Sequence, residues 1–123
     1  MTQASHPTNA APVTGSCDVL VIGGGPGGSA ISTLLSRKGW KVTLLEKDHH
    51  PRFHIGESLL PLNMPIFERL GVRERVERIG MLKRGAEFVN GDGDPVQFYF
   101  REAVLPDFPI AYQVKRSELD EIL

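Results

Sequence analysis

Apolar and polar positions alternate along this chain in several distinct rhythms. Residues 1–16, MTQASHPTNAAPVTGS, have no periodicity and too little apolar surface to order themselves, so a disordered tail is expected there. From Cys17 the pattern tightens. Asp18-Val19-Leu20-Val21-Ile22 is a β-branched run that predicts a strand buried on both faces of a parallel sheet, with Cys17 as a small hydrophobe at its start. Ser29 to Lys38 places Ala30, Ile31, Leu34 and Leu35 on one helical face, with basic residues in the last turn and Gly39 as the stop. Trp40 to Glu46 reads as a second strand. Strand, glycine turn, helix and strand within about 30 residues is the opening of a βαβ unit.

The rhythm then changes. Residues 47–57 are polar and predict a loop. Ser58-Leu59-Leu60-Pro61 can start a helix, with Ser58 capping it; Pro65 then requires either a kink or a regular helix that begins near Asn63. Ile66, Leu70, Val72, Val76 and Ile79 form an apolar stripe broken at Gly71, the mark of a helical pair with a charged outer face. Arg84–Val89 and Val96–Arg101 alternate around Gly91-Asp92-Gly93-Asp94 and predict a hairpin. Ala111–Val114 reads as a strand, and Ser117–Leu123 as the start of a helix with Ser117 as cap and an acidic first turn. That helix has no C-terminal stop signal, so residues 17–123 are expected to be a domain truncated at its C-terminus.

Composition narrows the classes of function. Fourteen Lys and Arg against 15 Asp and Glu leave a net charge of -1, which offers nucleic acid or an acidic membrane no positive field. The expectation is a cytoplasmic protein with neither partner. One cysteine excludes a disulfide scaffold. His49, His50 and His54 lack the spacing and companions of a metal site, so no metal is expected.

The chemistry begins at Gly23-x-Gly25-x-x-Gly28. As a string it is common, but here a strand precedes it, a helix follows, and Glu46 ends the next strand close to the ~20-residue spacing of a dinucleotide-binding unit. Gly23 permits the tight turn, Gly25 leaves the backbone open to a pyrophosphate, and Gly28 lets the helix approach the sheet. The helix N-terminus offers free N–H groups and a partial positive charge to the phosphates, and the Glu46 carboxylate accepts hydrogen bonds from ribose hydroxyls. A carboxylate there repels a 2'-phosphate, so FAD or NAD is favoured over NADP; the motif does not separate those two.

With Val21-Ile22-Gly23-Gly24-Gly25-Pro26-Gly27-Gly28-Ser29 and Leu45-Glu46-Lys47, the run Pro51-Arg52-Phe53-His54-Ile55-Gly56-Glu57-Ser58-Leu59-Leu60-Pro61 resembles the N-terminal part of flavin-dependent halogenases and allied FAD-dependent monooxygenases and reductases of the p-hydroxybenzoate hydroxylase type. The resemblance covers about residues 17–123. It implies an α/β fold, the incomplete N-terminal part of a Rossmann-like FAD-binding domain with a βαβ start, a helical segment and a β-hairpin. It implies FAD as cofactor, held by Gly23, Gly25, Pro26, Gly27, Gly28, Glu46 and Lys47. Arg52, Gly56, Glu57 and Ser58 would lie along the flavin, and Arg116 would be directed at the cofactor. From the residues alone, Ser58 is equally a helix cap, and Arg52 and Arg116 are equally exposed cations.

Lys83, in Gly80-Met81-Leu82-Lys83-Arg84-Gly85-Ala86-Glu87-Phe88, resembles the catalytic lysine of the halogenases. From the residues alone it is also a solvated lysine at a strand start. The resemblance implies that reduced FAD and O2 give a flavin peroxide that oxidises halide to hypohalous acid, which Lys83 delivers to an aromatic or pyrrole-like small molecule. A separate flavin reductase would supply the electrons. Aromatic hydroxylation and alkene reduction are the alternatives within that superfamily, and a non-catalytic dinucleotide-binding module is the alternative outside it.

Overall fold

A computed structural model describes residues 15–89, 91, 93–103 and 107–123. Most of the expected tail, residues 1–14, lies outside them, as does Asp92 of the hairpin turn.

Strand β1 (Val19–Ile22) pairs in parallel with β2 (Val42–Leu45), Val19 opposite Val42 and Ile22 opposite Leu45. Helix α1 (Pro26–Ser36) connects them. It begins three residues before the expected Ser29, because Pro26 is preset for the first helical position and the glycines behind it accept helical angles without side-chain cost. It also ends before the two basic residues assigned to its last turn. Arg37 is its C-cap and reaches away, donating to the carbonyls of Arg69 (2.6 Å) and Leu70 (2.9 Å), which closes the C-terminus of the next helix. Gly39 makes the positive-φ stop. Burial of β1 on both faces is not found: Leu20 and Ile22 are exposed, as is Cys17, because one strand and one helix cover only one side of the pair.

The core lies elsewhere. A single 3-10 turn, Pro61–Asn63, leads into α2 (Met64–Leu70), with Pro65 in its first turn and no kink. Gly71, at φ 70°, turns the chain into α3 (Arg73–Ile79). A short strand that the apolar pattern did not reveal, β3 (Met81–Lys83), pairs antiparallel with β6 (Ala111–Gln113). Between them β4 (Gly85–Val89) and β5 (Pro95–Tyr99) form the expected antiparallel hairpin. It stops at Tyr99, since Phe100 turns inward to a buried position and opens a second 3-10 turn, Phe100–Glu102. Helix α4 (Arg116–Ile122) ends the chain.

Leu59, Met64, Phe67, Val76, Tyr112, Val114 and Leu119 form one cluster between the helices and β6, with Ile79, Ile110 and Ile122 packed on its margin. Neither predicted serine cap exists. Ser58 is bridged to Gln113 as a short extended segment, and the Leu60 N–H is taken by Asn63 Oδ1 at 2.8 Å. At α4 the N-cap is Lys115, so Ser117 is already inside the helix. In both places the strand contacts of the preceding residues decide where the helix can begin, which overrides the local capping preference.

Candidate functional site

The glycine turn is held from both sides. Gly23, at φ 105°, donates its N–H to the Leu45 carbonyl at 2.7 Å, so β2 pulls the chain sharply round at the end of β1. Ser29 Oγ donates to the Gly24 carbonyl at 2.9 Å. A side chain at Gly28 would place Cβ 1.8 Å from the Gly23 carbonyl oxygen, so only glycine lets α1 start this close to β1. At Gly25 and Gly27, by contrast, an added Cβ would meet no protein atom within 4 Å. The protein's own packing does not require glycine there; an open space beside the free N–H groups of the helix start does. With no acidic side chain in that first turn, this space fits a diphosphate.

Glu46 closes the other side. Its Oε2 accepts from the Gly24 N–H at 2.6 Å and its Oε1 from the Asp48 N–H at 2.9 Å. These backbone donors, Asp48 foremost and then Gly24, hold its carboxyl below the ordinary carboxylate range. The charged carboxylate thus ties the glycine turn to the loop after β2, and each oxygen keeps lone-pair capacity for a hydroxyl. Lys47 beside it is exposed, and Arg52 is drawn back to Asp48 at 3.4 Å.

Arg116 is not an exposed cation. Its side chain is 11% exposed; Nε and Nη2 donate to Asp120 Oδ1 at 3.1 and 3.0 Å, and Nη1 donates to the Ile55 carbonyl at 2.8 Å. Asp120, wholly buried, therefore orients the arginine that pins the 51–57 loop, and His50 Nδ1 stands 4.0 Å from its other oxygen. Gly56 passes this guanidinium at φ 110°, where an added Cβ would lie 3.0 Å from Arg116 Nη1. A cleft of about 170 Å³ joins these parts, with Pro26, Gly27, Gly56, Phe67, Arg116 and Leu119 among its walls. The structure thus brings Pro26, Gly27, Gly56 and Arg116 together. Asp120 went unnoticed in the sequence because Arg116, four residues before it, fell outside the expected Ser117–Leu123 helix; with α4 starting at Arg116 the two are an i,i+4 pair.

Ser58 and Lys83 form a second group. Lys83 Nζ donates to Ser58 Oγ and, at 3.1 Å, to the Leu59 carbonyl; it lies 5.8 Å from the centroid of the Phe100 ring. Lys83 is half-buried at the end of β3, and Ser58, expected along a flavin or as a cap, makes its side-chain contact here. Glu57 contributes its backbone carbonyl to the Val114 N–H at 2.9 Å. Among the described residues no helix is long and apolar enough to cross a membrane.

The family described as "FAD binding domain" matches residues 16–120. The chain is 44% identical to a tryptophan 2-halogenase of Chondromyces crocatus over 88% of its own length and 20% of that protein. It is 39% identical to a flavin-dependent halogenase of Armillaria mellea, again over 88% of this chain and 21% of the relative. Among solved structures, the myxobacterial chondrochloren halogenase superposes with a TM-score of 0.77 at 38% identity, covering 86% of this chain and 25% of that one. The chain spans about a fifth of the length of the curated relatives it matches.

Proposed function

The chain belongs to the family of FAD-binding domains, and from that premise we propose that it is the cofactor-binding part of a flavin-dependent halogenase acting on an electron-rich aromatic or pyrrole-like small molecule. The observation that carries halogenation, over another flavin oxidation, is the Lys83 amine fixed by Ser58 Oγ and the Leu59 carbonyl, in a chain similar over most of its length to halogenases.

Each group then has a task. The N–H groups at the start of α1, with Gly23, Gly25, Pro26, Gly27 and Gly28 shaping the space around them, receive the FAD diphosphate. Glu46 receives the adenosine ribose, with Lys47 at its edge. Arg116, oriented by Asp120, holds the Ile55 carbonyl and so sets the path of Gly56 and Glu57 along the cofactor, and Arg52, steadied by Asp48, flanks that run. FAD held there would supply the oxidising power for making hypohalous acid from halide, with O2 as oxidant and a separate reductase as electron source. Lys83 Nζ then holds that acid by a hydrogen bond and aims it at the ring to be substituted, as a point donor on a stem whose end is fixed.

The test uses the full-length protein with FAD, a flavin reductase, O2, chloride or bromide, and an indole, phenol or pyrrole acceptor, with products read by mass spectrometry. A product carrying the added halogen, absent when halide is left out, is the expected result. A hydroxylated ring formed equally well without halide contradicts the reading.

A further inference from the structure

The geometry points to two residues that position Lys83: Ser58, through its hydroxyl, and Ala111, through the smallness of its side chain. This inference rests on the reading of Lys83 as the halogenating lysine.

β6 is the middle ribbon of three. On one edge it pairs with β3; on the other, the Leu59 N–H donates to the Tyr112 carbonyl and the Val114 N–H to the Glu57 carbonyl, both at 2.9 Å, around the Ser58–Gln113 bridge. The registers then decide which side chains share a face. Lys83 stands opposite Ala111, and Ser58 opposite Gln113. Residues directly opposite in antiparallel pairing point to the same side, and positions two apart on one strand do so again. Lys83, Ala111, Gln113 and Ser58 therefore lie on one face, while Leu82, Tyr112 and Leu59 lie on the other, with Tyr112 and Leu59 in the core.

Neighbouring ribbons are about 4.8 Å apart, so Nζ reaches Ser58 only by spanning two spacings. The stem must cross β6, and the position it faces there is Ala111, whose surface is fully covered. A larger side chain would occupy the room the stem needs. Once across, Nζ finds two acceptors, Ser58 Oγ and the Leu59 carbonyl, and the face of the Phe100 ring. The carbonyl alone constrains one of the amine's three hydrogens; the serine constrains a second, and together they set the direction of the third. Ser58 is thus a positioning residue, which acts on substrate through Lys83.

Two measurements on the full-length, FAD-loaded protein test this. In the first, lysines are acetylated with acetic anhydride and the rate at Lys83 is followed by peptide mass spectrometry. Loss of a charge-assisted hydrogen bond is expected to speed labelling of Lys83 about tenfold in Ser58→Ala, with Ser58→Thr restoring the slow rate. Ala111→Leu, which expels the stem, should speed it at least as much; if that variant does not fold, the exposed Ser58 still decides. In the second, halogenated product per reduced flavin consumed should fall about tenfold in Ser58→Ala and recover in Ser58→Thr, while FAD affinity stays within about twofold. An unchanged labelling rate in Ser58→Ala overturns the proposal, as does a loss of FAD affinity equal to the loss of product. The labelling does not depend on turnover. Should Lys83→Ala still halogenate, the reading of Lys83 falls while the positioning result stands on labelling alone.

Discussion

In the β1–α1–β2 half of the molecule, α1 contains no buried residue and Ile22 keeps 82% of its surface; in the half built from α2, α3, β6 and α4, Met64, Val76 and Leu119 keep 1% each. A parallel strand pair requires cover on both faces, and within this chain α1 covers only one, so the first half has the weaker packing of the two. The second half is anchored by its own core. It carries the residues that need fixed positions: Arg116 and Asp120 on α4, Ser58 on one edge of β6 and Lys83 on the other. The candidate cofactor site joins the glycine turn of the first half to the packed frame of the second, and Arg37, donating to the α2 carbonyls, bonds the two together.

Substitutions should separate the halves. Met64→Ala, which empties a fully packed position, is expected to cost about 2–5 kcal/mol in denaturant unfolding while leaving FAD affinity of the folded fraction unchanged. Gly28→Ala should do the reverse. Driving a methyl into the Gly23 carbonyl opens the turn, and titration should show FAD binding weaker by about a hundredfold with little change in unfolding of the helical half. Asp120→Asn touches both, since it frees Arg116 from its buried partner. About a tenfold loss of FAD affinity is expected, with faster amide exchange across residues 51–57 as its signature. An effect of Gly28→Ala on the core as large as that of Met64→Ala would dissolve the distinction.

The smallest effect is one of pH. Glu46 titrates below its ordinary value of 4.5 because Asp48 and Gly24 donate to it. A carboxyl lowered in the folded state contributes fully above its unfolded pKa and loses that contribution as pH falls through the lowered one. The contribution of Glu46 to resistance against unfolding should therefore be flat from neutrality down to about pH 4.5 and then decline, as read in denaturant unfolding against pH, and Glu46→Gln should remove that part of the decline.

What could be read from the residues follows the same division. The glycine turn, its helix and Glu46 were legible because their physics is local: a φ only glycine accepts, free N–H groups, a carboxylate at the next strand's end. The helical pair around Gly71 and the hairpin were legible from periodicity. The burial of Arg116, the role of Ala111 and the hydroxyl of Ser58 were not, because each is defined by a strand or helix distant in sequence. Serines 58 and 117 show the cost of the local rule: both looked like caps, and strand contacts placed both elsewhere.

The direct test of the account as a whole is Lys83→Ala in the full-length protein, measuring bound flavin and halogenated product in one reaction. Flavin absorbance and consumption of reduced flavin should persist while halogenated product disappears. Halogenation at the wild-type rate would contradict it.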